Sequence, residues 1–335
     1  MTATIDIIIP TYNGAALLPT CLDALRAQTR RDFRITLVDD GGNDETPTLL
    51  ERHYPEVALI TLSANRGLAG AVNAGISVTS APYVVLLNND TEAAPTWLDE
   101  LVGTLERHPD YAFAASKLRL FDRRDYLHSA GDFYRADGEP GSRGVWERDD
   151  GQYDTLSEVF GPCAGAAAYR RSALEQLSEA RYHYAAGRRR ALWQIFDEDL
   201  VMYCEDVDLN LRARRQGMRT IFVPAAVVYH RLSATGGGTL ASYYCGRNFA
   251  LVWVKNMPTP LVRRYWRHLL TSQLGFTLQS LRHLREPAAR ARLRGQLAAL
   301  LRLHHFWQKR RHTSAEEQAR LTAAIAPPRP ARVRG

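Results

Sequence analysis

The sequence predicts an α/β protein with a Rossmann-like, mostly parallel sheet flanked by helices and a helical C-terminal extension. Short apolar runs alternate with amphipathic stretches at close intervals, which is typical of βαβ units. Beyond about residue 240, leucines recur at helical spacing beside arginines. The chain has 335 residues, of which 45% are hydrophobic, so it can bury a large core.

Strands and helices alternate over the first 109 residues. The strands are IDIIIP (5–10), FRITLVDD (33–40), VALITLS (57–63) and YVVLLNND (83–90). The helices are GAALLPTCLDALRAQT (14–29), NDETPTLLERHY (43–54), GLAGAVNAGISVT (67–79) and TWLDELVGTLERHP (96–109). Leu18, Leu22 and Leu25 share one face of the first helix, and the small residues of the third helix suit close packing on a sheet.

The pattern becomes irregular after residue 110, and residues 111–165 are interpreted as irregular strands and loops. The later predicted elements are a turn, strand and helix in GPCAGAAAYRRSAL (161–174), a helix beginning near Glu205, a strand pair in RTIFVPAAVVYH (219–230), a flexible loop in RLSATGGGT (231–239) and a disordered end in AAIAPPRPARVRG (323–335). We expect three parts: an α/β domain over 1–240, a helical region over 241–312 and a flexible basic tail over 313–335.

Charge is unevenly distributed along the chain. Residues 258–335 contain 16 Lys and Arg against 3 Asp and Glu, a net +13, whereas residues 1–257 have 27 against 33, a net −6. A basic C-terminal region with leucines and with Trp253, Trp266 and Trp307 favours an anionic membrane surface over nucleic acid. The same helices could instead form a homo-oligomer.

Other features indicate a cytoplasmic protein, peripheral at the inner face of the plasma membrane. The four cysteines form no CxxC pair, so we expect neither a zinc site nor a disulfide framework. Met1 to Asp6 lead directly into a strand pattern, so we expect no signal peptide. No apolar run is long enough to span a bilayer.

Polar residues follow three of the predicted strands, where ligands bind in open parallel sheets. They are PTYN (10–13), DDGGND (39–44) and NNDTE (88–92). Asp39 and Asp40 suit hydrogen bonds to a base or ribose, or else a turn. Asp90 suits Mg²⁺ or Mn²⁺, or else a helix cap. His230 is interpreted either as a metal ligand or as a structural histidine.

The stretch MYCEDVDLNLRARRQG (202–217) places three acids at a predicted helix start. Glu205 and Asp206 point about 100° apart on a helix, so only one is expected to face a cleft as a proton acceptor. The helix dipole alone offers another explanation for these acids. Asp208 stands four residues before Arg212, a spacing that favours a structural ion pair.

Seven segments in order resemble the family 2 glycosyltransferases, in particular their bacterial rhamnosyltransferase-like branch. They are IIIPTYNG, LVDDGGNDET, NRGLAGAVNAGI, YVVLLNNDTE, GPCAGAAAYRRSAL, FDEDLVMYCEDVDLNLRARRQG and YYCGRNFALVWVKNMP, spanning residues 5–257. The resemblance implies a GT-A fold, a nucleotide-sugar donor, a divalent metal and inversion at the anomeric carbon.

The resemblance also implies roles for individual residues. The donor-binding residues would be Pro10, Thr11, Tyr12, Asn13, Asp39, Asp40, Arg66, Asn88 and Asn89. Asp90 would bind the metal where the family has its DXD motif, with His230 as a further ligand. Asn88 replaces the first acid of that motif, which weakens a two-carboxylate metal site. Asp206 would be the catalytic base, with Glu205 second.

The resemblance further implies a dTDP-rhamnose-like or UDP-sugar donor and an acceptor on a cell-surface or lipid-linked glycan. Two alternatives remain, a sugar nucleotidyltransferase and a non-catalytic protein that binds glycans or nucleotide sugars. A dinucleotide-dependent oxidoreductase is excluded because PTYNGA stands where G-x-G-x-x-G is required.

Overall fold

A computed structural model describes residues 3–185, 188–232 and 238–329. Its first part alternates strands and helices as the sequence predicts. These elements are β1 (Ile5–Thr11), α1 (Leu18–Arg26), β2 (Phe33–Asp39), α2 (Thr46–His53), β3 (Ala58–Thr61), α3 (Gly67–Ser77), β4 (Tyr83–Leu87), β5 (Thr91–Ala93) and α4 (Trp97–Arg107).

The middle part adds strands to the main sheet, forms two separate two-stranded sheets (β8-β9 and β12-β13) and carries one further long helix. Its elements are β6 (Phe113–Leu120), β7 (Leu127–Ser129), β8 (Asp132–Tyr134), β9 (Pro140–Ser142), β10 (Ser157–Val159), β11 (Ala166–Arg170), α5 (Arg171–Gln176), β12 (Glu179–Ala185), β13 (Arg188–Gln194), a 3₁₀ turn (Glu198–Leu200), α6 (Glu205–Arg215) and β14 (Thr220–His230). The predicted helix start at Glu205 is confirmed.

The C-terminal part is helical, as predicted. It comprises α7 (Thr239–Asn256), α8 (Thr259–Arg282), α9 (Pro287–Gln308) and α10 (Ala315–Ala324). Helices α7 and α9 cross at small residues: a Cβ on Gly295 would lie 2.1 Å from the Tyr243 carbonyl oxygen. None of the helices in the described ranges is long and apolar enough to cross a bilayer.

One ten-stranded sheet organises the molecule, with its main strands in the order β10-β14-β6-β11-β4-β1-β2-β3. Strands β3, β2, β1 and β4 run parallel, and β6 runs parallel to β14. Strand β11 joins the two parallel groups by antiparallel pairing to β4 and β6. Helix α3 packs tightly on β1, because a Cβ on Gly75 would lie 2.6 Å from Ile8 Cγ2.

The predicted strand pair over 219–230 is wrong. Residues Thr220–His230 form one strand, whose pairing with β6 shifts between Val223 and Val227. Pro224 stands within that shift, where a residue without a backbone N–H is tolerated. The segment is therefore one strand with a bulge.

The predicted flexible tail is wrong for residues 313–329. Ser314 caps α10 in a capping box with Glu317, and Leu321 is fully buried. The Ala326 N–H donates to the Tyr134 carbonyl at 2.7 Å, and the Arg329 N–H donates to Asp137 Oδ2 at 2.9 Å. Apolar burial and backbone pairing thus order this basic segment. The predicted flexible loop over 231–239 and disordered end extend into 233–237 and 330–335, which lie outside the described residues.

The C-terminal helices share a core with the site-bearing part of the chain. One buried cluster joins Val207 of α6 to Trp253 of α7, Phe306 of α9 and Leu321 of α10. The domain boundary expected at residue 240 stays a prediction. Helices α7 and α10 pack directly against α6, and α8 and α9 contribute residues to the same cluster.

Candidate active site

The carboxyl ends of β1, β2 and β4 meet at one edge of the sheet, as their parallel pairing requires. Asn89 Nδ2 donates to Thr11 Oγ1 at 2.7 Å, and the Asp40 N–H donates to the Thr11 carbonyl at 2.8 Å. Three polar clusters that are far apart in sequence therefore form one cleft edge. Tyr12 is exposed on this edge, and Asn13 Oδ1 accepts from the Asn43 N–H at 2.9 Å.

Asp40 holds the start of α3. Its two carboxylate oxygens accept from the Arg66 and Gly67 N–H groups at 2.7 and 2.8 Å. Burial raises the pKa of Asp40, and these backbone donors oppose that rise. Asp39 Oδ1 accepts from the Gly42 N–H at 2.9 Å. Both carboxylates are buried and accept backbone hydrogen bonds, so they also shape the loop at this edge.

Gly67 permits close approach between α3 and the loop before α6. Its φ of +76° suits glycine, and a Cβ there would lie 2.5 Å from Val201 Cγ1. Beside it, Arg66 Nη2 lies 2.7 Å from Glu198 Oε1, and its side chain remains substantially exposed. This arrangement presents the Arg66 guanidinium at the rim of the cleft.

Asp90 and His230 come together although 140 positions separate them. Strand β14 pairs with β5 so that His230 stands opposite Thr91, which places His230 Nε2 3.1 Å from Asp90 Oδ1. On its other side, His230 Nδ1 lies 3.0 Å from His128 Nδ1. Burial, then the neighbouring His230, lowers the pKa of His128 to about 3, so His128 is neutral at physiological pH.

The Asp90–His230 pair offers the donors that Mn²⁺ or Mg²⁺ accepts, a carboxylate oxygen and an imidazole nitrogen. Two protein ligands suffice where substrate phosphates complete the shell. Groups of three potential ligands also occur among the described residues, at Asp132/Cys163/Asp206 and at Glu179/Asp197/Asp208. The second group already surrounds the ammonium of Lys255, with Nζ–O distances of 2.8–2.9 Å.

The turn before α6 is strained. Val201, Tyr203 and Cys204 all have positive φ, at 68°, 61° and 69°. Asn248 of α7 holds this turn by placing Nδ2 within 2.7–3.0 Å of the carbonyl oxygens of Leu200, Met202 and Tyr203. The C-terminal region thereby fixes the start of the acid-bearing helix.

Glu205 and Asp206 face different environments. Glu205 is buried, and burial followed by the charge of Asp206 raises its pKa well above the usual range. It lines a small, mostly apolar cavity together with Pro10, Asn88, Ala164 and Phe196. Asp206 is only partly buried, and its oxygens accept from the Ala164 N–H at 3.2 Å and the Val207 N–H at 2.8 Å. Burial raises the pKa of Asp206, and these backbone donors oppose that rise. Its partial exposure, in contrast to the buried Glu205, favours Asp206 as the proton acceptor.

Asp208 is structural, as predicted. Its Oδ2 lies 3.0 Å from Arg212 Nε and 2.9 Å from Lys255 Nζ, and its Oδ1 accepts from Asn256 Nδ2 at 2.7 Å. Arg212 is itself buried, so this pair braces α6 from inside.

His128 and Asn248 are functional candidates that no sequence pattern indicated. His128 lies in the stretch without periodicity, on β7, whereas His230 lies on β14. The two histidines are brought together because β7 and β14 both pair with β6. Asn248 lies inside the YYCGRNFALVWVKNMP segment, where no local signal indicates what its amide contacts.

The sequence model of Glycosyl transferase family 2 matches residues 6–178, just over half of the chain. The chain belongs to this family. The match includes the ends of β1, β2 and β4, and α6 and β14 complete the cleft beyond it. The family 2 chain is therefore a glycosyltransferase.

Its curated relatives include bacterial enzymes of glycan assembly. The chain is 28% identical over 256 residues to N-acetylglucosaminyl-diphospho-decaprenol L-rhamnosyltransferase of Mycobacterium tuberculosis, covering 70% of this chain and 79% of that protein. It is 37% identical over 88 residues to a PGL/p-HBAD biosynthesis glycosyltransferase of Mycobacterium bovis, covering 25% and 34%. These relatives support the rhamnosyltransferase-like branch.

Solved structures share the fold. GalNAc-T7 with UDP, GalNAc and Mn²⁺ superposes with a TM-score of 0.61 at 16% identity, covering 82% of this chain and 51% of that one. The mannosyltransferase PcManGT from Pyrobaculum calidifontis, in complex with GDP-Man and Mn²⁺, gives 0.52 at 18% identity and covers 97% and 86%. The predicted GT-A fold, with its Rossmann-like sheet and helical C-terminal region, is confirmed.

Proposed function

We propose that this glycosyltransferase is inverting and depends on Mg²⁺ or Mn²⁺. The observation that carries the proposal is the position of Asp206, a partly exposed carboxylate at the start of α6. Its neighbour Glu205 borders the same cavity as Pro10 and Asn88 at the strand ends. Ala164, whose N–H donates to Asp206, borders that cavity too, which supports a base beside the donor side of the cleft.

In the proposed step, Asp206 accepts the proton of an acceptor hydroxyl as that oxygen attacks the anomeric carbon. The bond from the anomeric carbon to the diphosphate breaks on the opposite face, and its electron pair leaves with the nucleoside diphosphate. Asp90 and His230 would hold the divalent cation, which neutralises charge on the departing diphosphate. Arg66 would add a positive charge at the rim.

The donor side is assigned to the strand ends. Pro10, Thr11, Tyr12 and Asn13 would line the nucleotide, with Asp39 toward the base and Asp40 holding the loop. Asn88 and Asn89 would lie near the sugar and diphosphate. A dTDP-rhamnose-like donor is proposed first because of the named rhamnosyltransferase relative, and a UDP-sugar second.

A lipid-linked or cell-surface glycan is the proposed acceptor, since that relative is named for a diphospho-decaprenol substrate.

A panel of dTDP-L-rhamnose, UDP-N-acetylglucosamine and GDP-mannose with Mg²⁺ or Mn²⁺ tests the donor through calorimetry and release of nucleoside diphosphate. A synthetic prenyl-diphosphate-linked N-acetylglucosamine tests the acceptor. We expect dTDP-L-rhamnose to bind and react; failure of every donor to bind would favour a non-catalytic protein. Pyrophosphate release from a sugar phosphate and a nucleoside triphosphate would favour the nucleotidyltransferase.

A membrane-facing surface on α8 and α9 is part of the proposal, with a cytoplasmic location at the inner face of the plasma membrane. Leu270, Leu274, Leu278 and Leu281 recur along α8 and are each at least 50% exposed. Leu301 of α9 is 82% exposed. Residues 259–308 contain nine arginines against one acidic residue, so the two helices that carry these exposed leucines are strongly basic. Exposed leucines on basic helices suit an anionic membrane surface.

Flotation with vesicles of anionic or zwitterionic lipid tests this surface. We expect binding to the anionic vesicles only, and a loss of binding in Leu274→Asp; Leu156→Asp, an exposed leucine outside these helices, is the matched control. No flotation, together with a dimer in sedimentation that Leu274→Asp dissociates, would assign the surface to a homo-oligomer.

A further inference from the structure

A second carboxylate, Asp132, lies beside the proposed base. It begins β8, inside the region that the sequence left without periodicity. Its Oδ1 accepts from Ser129 Oγ at 3.1 Å and from Ser142 Oγ at 2.6 Å, and its N–H donates to the Gly161 carbonyl at 3.0 Å. Two serines thus hold the Asp132 carboxyl, and Gly161 holds its backbone.

Asp132 and Asp206 are close enough to interact strongly. Carboxylate oxygens of both residues, and Cys163 Sγ, lie within 4.8 Å of one another. Both acids are partly buried, so solvent screens them incompletely. Two carboxylates at this separation resist simultaneous ionisation, and the protons leave the pair in coupled steps.

The hydrogen-bond partners decide which acid keeps the proton. Backbone N–H groups only donate, and the two that contact Asp206 favour its ionised form. The N-terminus of α6 favours a negative charge there too. Serine hydroxyls can either donate or accept, so Ser129 and Ser142 accommodate a protonated Asp132 as well as an ionised one.

The wider surroundings of the pair are mostly acidic or weakly ionising. Glu205 and Cys204 lie on the Asp206 side, and Cys163 and Tyr169 lie beside both acids. Arg143 acts on Asp132 from the strand-β9 side. Burial, followed by the charge of Asp206, raises the pKa of Asp132 to about 7, and the serines and Arg143 limit that rise.

We propose that Asp132 is a positioning residue for the transfer reaction. It retains the proton of the Asp132–Asp206 pair, so that Asp206 alone carries the negative charge that accepts the proton of the acceptor hydroxyl. When Asp132 also ionises, the added charge increases the proton affinity of Asp206 and strengthens it as a base. This inference rests on the proposed role of Asp206.

Carbon-13 NMR of the carboxyls in aspartate-labelled protein tests the coupling without requiring activity. In the wild type, we expect one aspartate carboxyl to titrate near pH 7 and to vanish in Asp132→Asn. In Asp206→Asn, the midpoint of the Asp132 titration is expected to move to lower pH by one unit or more, which is a tenfold or larger decrease in proton affinity. Asp122→Asn, an exposed substitution in the same region, should leave the step unchanged.

Ser142→Ala gives a second variant should Asp132→Asn fail to fold. Losing a donor to ionised Asp132 should move its titration to higher pH. An Asp132 step that Asp206→Asn leaves in place, or the lack of any aspartate step above pH 5 in the wild type, would overturn the inference.

The pH dependence of the single-turnover rate with dTDP-L-rhamnose then tests the catalytic meaning. The wild-type rate should rise through about pH 7, and Asp132→Asn should lack that rise while retaining donor binding. A rise that persists in Asp132→Asn would refute the positioning role. If no donor reacts although NMR shows the coupled titration of Asp132 and Asp206, the proposed function is wrong but the interaction between the two carboxyls is confirmed.

Discussion

The ammonium of Lys255 is the centre of a buried ionic cluster beneath α6. Its Nζ lies 2.9 Å from Asp197 Oδ2, 2.9 Å from Asp208 Oδ1 and 2.8 Å from Glu179 Oε2. Lys255 is only 3% exposed, and these carboxylates raise its pKa despite burial. The three carboxylates therefore depend on the Lys255 charge for compensation, because the site is closed to water.

Lys255→Met would leave the three acids with one cation fewer. Lys309 still contacts Asp197, Arg212 still contacts Asp208, and Arg311 still lies 3.6 Å from Glu179 Oε1. The fully buried Asp197 and Asp208 nonetheless each lose one ion-pair partner. Breaking a buried ion pair by removing one partner costs about 3–5 kcal/mol. We expect a loss of that size in the free energy of unfolding, measured by urea denaturation with tryptophan fluorescence.

Two further variants make this measurement specific. Arg320→Met removes an exposed pair with Glu316 on α10 and should cost at most about 0.5 kcal/mol. Glu179→Gln in the Lys255→Met background removes one acid and should recover part of the loss. A Lys255→Met protein no less stable than Arg320→Met would refute the interpretation of this cluster.

Four other outcomes are expected. Gly67→Ala should destabilise by more than about 1 kcal/mol in urea, because its φ of +76° and the Val201 contact exclude a Cβ; an unchanged midpoint would contradict this. Ser314→Ala should cost about 1 kcal/mol by losing the cap of α10, with Thr313→Ala as the neutral comparison. His128→Ala should weaken Mn²⁺ binding about 10–100-fold in calorimetry with nucleoside diphosphate present, since His230 loses its Nδ1 partner; equal affinity would exclude that support. The pKa of Asp132 is about 7 when folded and about 3.9 in an unfolded chain, so its contribution to stability is complete below pH 4 and lost by pH 7; the melting temperature of Asp132→Asn should lack this part of the decline.

Local sequence patterns were sufficient for much of the fold. Alternating apolar and amphipathic stretches predicted β1 to β4 and α4 in order but not the short β5, and the acids at 205–208 marked the start of α6. Parallel pairing then predicted that Thr11, Asp39 and Asn89 would meet at one edge, because strand ends on one side of a sheet must be neighbours.

Long-range pairing decided the rest. His128 and Asp132 lie in a stretch of short strands whose partners, β6, β9 and β14, are fixed by the sheet and not by local periodicity. The prolines and arginines of the tail suggested disorder. In the folded chain, however, Leu321 is buried in a cluster that also contains residues of α6 and α9. Such contacts depend on the assembled fold.

The catalytic assignment of Asp206 is tested most directly by the single-turnover transfer rate of Asp206→Asn beside Glu205→Gln, with donor affinity measured for both. A general base contributes about 10²–10⁴-fold to rate, so Asp206→Asn should lose that much while binding the donor normally. Glu205→Gln should lose much less, because Glu205 is buried and its pKa is strongly raised. A full rate in Asp206→Asn, or the larger loss in Glu205→Gln, would contradict the proposed mechanism.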